Sequence, residues 1–233
     1  MTDAPLTGPE HAPATGETPD RLIVFLHGLG ANGNDLIALA PILAQVFPKA
    51  HFVAPDAPYP CDLSPVGRQW FSMQDLKTDS LFNGVKKVSP ALDAFLDDQM
   101  KRFGLGPDRV AVVGFSQGTM LALHNLTRRD QPVAALLGYS GMLIAPGALA
   151  DDLTCRPPTL LIHGEDDEVV PAEMSRMSGE ALKIAGFDVE VAFCKGLAHS
   201  IDEAGLRLGV EFLMRAFGDT PVEGDAEAAP DQG

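Results

Sequence analysis

Cysteine is scarce. The chain has three in 233 residues, at 61, 155 and 194, and no two are spaced as CxxC. That count argues against a disulfide framework and against a zinc site, and it suits a reducing compartment. Basic residues are also few. Seventeen Lys and Arg stand against 32 Asp and Glu, for a formal net charge of −15, which disfavours nucleic acid and anionic membrane surfaces as partners. Aromatic residues make up only 6%, with a single tryptophan, Trp70. No apolar run reaches the roughly 20 residues of a membrane span. The opening residues, Met1-Thr2-Asp3-Ala4-Pro5, have neither the basic nor the apolar region of a signal peptide. The expectation is a cytoplasmic protein with no stable membrane anchoring.

What is abundant is apolar sequence, 45% of the chain, ample for a sizeable core. The acid is concentrated at the ends: residues 1–20 carry four Asp or Glu and residues 218–233 carry five, neither with any Lys or Arg. The chain therefore divides into an irregular arm over 1–20, one domain over 21–217 and a flexible acidic tail over 218–233. Within the arm an edge strand is expected near 5–8. Apolar runs predict strands at 22–26, 51–54, 109–113, 132–138, 159–163 and 188–193. Helical patterns lie between them, at 35–46 with a bend at Pro41, at 89–103, at 119–126, at 172–185 and at 201–217. Residues 55–72 and 146–158 read as irregular. Residues 73–88 have no clear period, and Met73, Leu76, Leu81 and Phe82 suggest a mobile flap. Strands alternate with helices, and several strands are apolar on both faces. That pattern means an α/β fold with a mostly parallel sheet covered on both sides.

The stretch Gly114-Phe115-Ser116-Gln117-Gly118 sits between a Val-rich strand and a helix, the setting a Gly-x-Ser-x-Gly nucleophile turn requires. A side chain at 114 or 118 is expected to collide with the neighbouring strand and helix. Serine alone is a poor nucleophile and needs a base and an acid that orients the base. Two loops after later strands supply them. One carries Glu165, Asp166 and Asp167, among which spacing does not choose. The other carries His199. Nucleophile, acid, base is the chain order of α/β-hydrolases. The oxyanion donors expected are the backbone N–H groups of Gln117 and Leu29. Ser140, lacking the second glycine, reads as structural. His163 reads as a satisfied buried histidine, and His27 as a residue that orders the Gly28–Gly33 loop.

That loop also spells Gly-x-Gly-x-x-Gly, with Asp56 placed 23 residues beyond Gly33. A dinucleotide-binding oxidoreductase is therefore an alternative. Against it, Asp56 lies between prolines, Pro41 interrupts the following helix, and Ser116 and its partners are left unexplained. A third reading is a catalytically silent binding protein on a hydrolase fold.

Together the segments Leu26–Asp35, Pro55–Pro58, Gly67–Phe71, Gly114–Gly118, His163–Pro171 and Gly196–His199 resemble the phospholipase/carboxylesterase family of α/β-hydrolases, which includes the acyl-protein thioesterases, in its bacterial form. The resemblance covers about residues 6–217. It implies an α/β-hydrolase fold without a large cap domain, and hydrolysis of carboxylic esters, thioesters or lysophospholipids of short to medium acyl chain. It selects Asp167 as the acid, with Ser116 and His199 completing the triad and Leu29 and Gln117 as the oxyanion hole. It also implies that Trp70 and Phe71 line the acyl pocket, that no metal or cofactor takes part, and that the partner is a small-molecule ester. Homodimers are common among such enzymes.

Overall fold

The computed structural model describes residues 5–219. Along the chain run β1 (Glu10–His11), β2 (Arg21–Leu26), α1 (Gly33–Ile37), α2 (Ala40–Leu43), β3 (Ala50–Val53), β4 (Tyr59–Pro60), β5 (Arg68–Gln69), α3 (Thr78–Phe103), β6 (Val110–Phe115), α4 (Gln117–Leu126), β7 (Ala135–Tyr139), α5 (Leu149–Asp152), β8 (Thr159–Gly164), α6 (Ala172–Ile184), β9 (Val189–Cys194) and α7 (Glu203–Phe217). Seven strands form one sheet in the order β1-β3-β2-β6-β7-β8-β9. Within this sheet only β1 is antiparallel to its neighbour and the other pairings are parallel, while β4 and β5 form a separate antiparallel pair.

The apolar strands alternate between two cores. Leu22, Val24 and Leu26 point to one face, with Val110 and Val112, and meet Leu92, Leu96, Leu121 and Leu182 from α3, α4 and α6. Ile23 and Phe25 point to the other, with Ala111 and Val113, and meet Leu36, Leu43 and Phe212 from α1, α2 and α7. Burial on both faces is why these strands read as unbroken hydrophobic runs. Each fully buried Leu, Val or Phe contributes about 1.5–3 kcal/mol relative to exposure.

Three expectations change in detail. The edge strand of the arm is at Glu10–His11 rather than near 5–8. The helix at 35–46 is two short helices, with Pro41 in the first turn of the second, where its missing N–H leaves nothing unpaired. The largest difference is at 72–88. There, residues 78–88 are not a flap but the first half of a 26-residue α3 that runs straight through Pro90. Ser89-Pro90 has the look of a cap and first helical residue. The Ser89 hydroxyl instead accepts from Asn125 Nδ2 at 2.8 Å, and Leu81, Val85 and Val88 are buried in the core. The acidic tail expected over 218–233 falls, from residue 220 onward, outside the described residues.

Candidate active site

The carboxyl ends of β6, β8 and β9 converge at one edge of the sheet. β6 gives way to α4 through Ser116 alone. Ser116 holds φ 52° and ψ −115°, a left-handed conformation costing roughly 1–3 kcal/mol in a non-glycine residue. Three bonds maintain it: Ser116 N–H to the Tyr139 carbonyl at 2.9 Å, Met120 N–H to the Ser116 carbonyl at 3.1 Å, and the Thr119 hydroxyl to the Tyr139 carbonyl at 2.9 Å. So sharp a turn presses the start of α4 onto β2. A Cβ at Gly118 would lie 1.9 Å from the Leu26 carbonyl oxygen, and one at Gly114 2.5 Å from Thr119 N. Both glycines are there for close approach.

The loops after β8 and β9 are laced together by backbone bonds, Glu165 N–H to Cys194 O at 2.9 Å and Asp166 N–H to Leu197 O at 3.0 Å. This lacing brings Asp167 beside His199, whose Nδ1 lies 2.6 Å from Asp167 Oδ2. Glu165 and Asp166 point to solvent, and of the three acids only Asp167 is buried. The other Asp167 oxygen accepts from the Val169 and Val170 N–H groups, each at 2.9 Å. Burial alone would raise the carboxyl's pKa. The bond to His199 and the two backbone donors outweigh it and hold Asp167 below the usual carboxylate range. The His199 ring packs on Phe115, centroids 4.9 Å apart, which places it next to the residue preceding Ser116. The His199 side-chain hydrogen bond goes to Asp167, and none joins the imidazole to the Ser116 hydroxyl; such contacts commonly tighten only with substrate bound.

The loop after β2 faces the same turn. His27 is fully buried. Its Nδ1–H donates to the Gly28 carbonyl at 2.7 Å, and its Nε2 accepts from Ala57 N–H at 3.0 Å. Burial lowers its pKa, which keeps the ring neutral as the accepting nitrogen requires. On the loop's other side Gly30 N–H donates to Arg68 O and Arg68 N–H to Ala31 O, both at 2.8 Å. Among the described residues, the Leu29 and Gln117 N–H groups have no backbone acceptor. Asp56 Oδ1 accepts from Gly33 N–H at 2.8 Å. The acid a dinucleotide would need is thus engaged at the start of α1.

Trp70 and Phe71 are wholly buried behind the nucleophile turn. The Trp70 indole N–H donates to the His27 carbonyl at 2.9 Å. The Gln117 side chain clamps the backbone between them, accepting from Trp70 N–H and donating to the Phe71 carbonyl, each at 2.8 Å. The first half of α3 lies against Phe71, with a Cβ at Gly84 only 3.0 Å from that ring's Cβ. The sequence offered no signal for the Gln117 clamp or for the Arg68 pairing, because both are long-range contacts to main chain. An apolar groove of about 190 Å³ opens nearby, between Leu76 and Leu81 of the α3 approach, Met142 and Ile144 after β7, and Met174 and Met177 of α6. A larger polar hollow of about 370 Å³, walled by Asp93, Asp97, Arg128 and Arg129, lies at the far end of α4 and away from Ser116.

No described helix is long and apolar enough to cross a membrane. The family model described as Phospholipase/Carboxylesterase matches residues 12–216. The chain is 27% identical over 201 residues to Esterase YpfH of Escherichia coli (strain K12), covering 84% of this chain and 85% of that protein. It is 28% identical over 195 residues to an Acyl-protein thioesterase 1 of Gibberella zeae, covering 76% and 83%. Among solved structures, esterase PE8 superposes with a TM-score of 0.87 at 38% identity, covering 91% of this chain and all (100%) of that one.

Proposed function

The chain belongs to the phospholipase/carboxylesterase family, and from that premise we propose that it hydrolyses carboxylic esters through an acyl-enzyme on Ser116, with His199 as general base and Asp167 as its orienting acid. His199 takes the Ser116 proton as the hydroxyl attacks the ester carbonyl. The Leu29 and Gln117 N–H groups receive the developing oxyanion, each worth about 3 kcal/mol of transition-state stabilisation. His199 then protonates the leaving alcohol or thiol. Water, activated by the same imidazole, releases the acid. Asp167 keeps the His199 tautomer and stabilises its cation without itself taking the proton. The steps call on groups of the chain and one water, and none calls for a metal or cofactor.

The observation that supports this reading most is the conjunction of a strained Ser116 turn with buried Asp167 and half-buried His199 paired at 2.6 Å. The groove between Leu76 and Met177 suits a short to medium acyl chain, since Met142 follows Gly141, which packs against the Ser116 carbonyl. Trp70 and Phe71, expected to line the acyl pocket, do not wall this groove; fully buried, they brace the Leu29 loop and Gln117 from behind. Thioesters are included among the substrates, as the name of one relative suggests. Three free cysteines are consistent with work in the cytoplasm.

The test is intact-mass labelling with a fluorophosphonate, on wild type and on Ser116→Ala and His199→Ala. One adduct on wild type, none on Ser116→Ala and loss of turnover in both variants is the expected result. An unlabelled, folded wild type refutes an activated serine and returns the silent binding protein to the front. Esters and thioesters of rising acyl length then define the groove.

A further inference from the structure

We propose that His163 is a positioning residue of this site, holding the Asp167 carboxylate on one side and, through the Ser175 hydroxyl, the main chain beside the nucleophile turn on the other. The inference rests on the reading of Asp167 and His199 given above.

His163 closes β8 and its side chain is fully buried, as is that of Asp167. Its Nε2 lies 2.8 Å from the Val170 carbonyl and 3.1 Å from Asp167 Oδ2. Both neighbours are acceptors, so this nitrogen carries a hydrogen; it donates to the Val170 carbonyl, and the Asp167 oxygen lies alongside in contact. Asp167 Oδ2 is the same oxygen that meets His199 Nδ1. One oxygen is therefore shared between two imidazoles, while the other is pinned by the Val169 and Val170 N–H groups. His163 thus fixes the acid and also the Val170 carbonyl three residues beyond it, closing the 165–170 loop onto the end of β8.

The opposite face of the ring reaches further. His163 Nδ1 lies 2.7 Å from Ser175 Oγ, which in turn lies 2.9 Å from the Gly141 carbonyl, and the single Ser175 hydrogen serves one of these two acceptors at a time. Gly141 is packed so tightly on the turn that a Cβ there would sit 2.9 Å from the Ser116 carbonyl oxygen and 2.4 Å from Thr119 Cβ. A continuous buried chain therefore runs from Asp167 through His163 and Ser175 to the residue abutting Ser116. All of its side chains are buried, where losing a polar contact is costly. The two halves of the site come from separate loops, after β6 and after β8. This chain sets their spacing, and a displacement of about 1 Å between reacting groups is enough to cost roughly 10²-fold in rate.

The test uses His163→Leu, His163→Gln and Ser175→Ala, with p-nitrophenyl butyrate as substrate. Turnover is normalised to the fluorophosphonate-titrated fraction of active enzyme, and thermal midpoints are recorded alongside. The Gln amide can reach the place of Nε2 and donate to the Val170 carbonyl beside Asp167. Expected for His163→Leu is a fall in kcat of about 10- to 100-fold with KM within about two-fold. His163→Gln should regain most of that loss, and Ser175→Ala should fall about three- to ten-fold in kcat alone. A purely structural role lowers the midpoint and the titrated fraction but leaves normalised kcat at wild type, and that result in His163→Leu overturns the proposal. Should His163→Leu fail to fold, an unchanged kcat in Ser175→Ala overturns it. Failure of the wild type to label would instead refute the reading of Ser116, so the two failures are distinguishable.

Discussion

Replacing Gln117 by Leu separates what this residue does with its side chain from what it does with its backbone. The side chain is buried and makes two bonds, both to main chain, at Trp70 N–H and the Phe71 carbonyl. Leu is close in volume, so no large cavity forms, but two buried backbone groups lose their partners. An orphaned buried donor or acceptor costs about 1–3 kcal/mol, so the pair costs roughly 2–6. Against a total stability of about 5–15 kcal/mol, the variant stays folded at room temperature. A central loss of about 4 kcal/mol lowers Tm by roughly 8–16 °C in a domain of this size. The Gln117 N–H remains in place, so fluorophosphonate labelling of Ser116 should fall by less than the 10²–10³-fold that loss of an oxyanion donor costs. Urea unfolding gives the stability change, and time-resolved intact mass gives the labelling rate. A stability loss below about 1 kcal/mol would mean that Trp70 and Phe71 are held by something else, and the clamp would be refuted.

Three more outcomes follow from other positions. Gly118→Ala puts a methyl into the second position of α4, where alanine ordinarily gains about 1 kcal/mol over glycine. Here the Cβ meets the Leu26 carbonyl at 1.9 Å, so the sign reverses, and a urea midpoint at or above wild type would contradict the packing of the turn. Trp70→Phe leaves the buried His27 carbonyl without its indole donor, and a loss of about 1–3 kcal/mol by urea unfolding is expected. His124 is buried in α4 and its pKa is lowered to about 4, first by burial and then by Arg128. Between about pH 6.5 and 4 the unfolded chain binds a proton there that the folded chain refuses. Stability is therefore fully present above pH 6.5 and falls as the pH drops, by up to roughly 3 kcal/mol. His124→Phe should flatten this part of the stability–pH curve by close to one proton; an unchanged slope would sink the assignment.

Much of the site was legible along the chain because its chemistry is local. A glycine on either side of Ser116 is demanded by a turn that reverses within one residue. The parallel sheet was written in strands apolar on both faces, Leu22 to Leu26 and Val110 to Val113, and the partners of Ser116 could be sought only in loops after later strands. What the sequence did not decide is what depends on distant main chain. Ser89-Pro90 imitates the start of a helix, and only the packing of Leu81, Val85 and Val88 into the core carries α3 across it. Three acids in a row are alike in spacing; Asp167 differs because the loop after β9 turns it inward while Glu165 and Asp166 face water. The Gly28–Gly33 loop suits a phosphate or an oxyanion equally well on paper. The backbone of Arg68, the buried His27 and the engagement of Asp56 at Gly33 N–H support the proposed oxyanion role. Local residue types determined the reagents. Contacts between segments far apart in sequence, which leave no periodic trace because they end on N–H and C=O groups common to every residue, determined how those reagents are held.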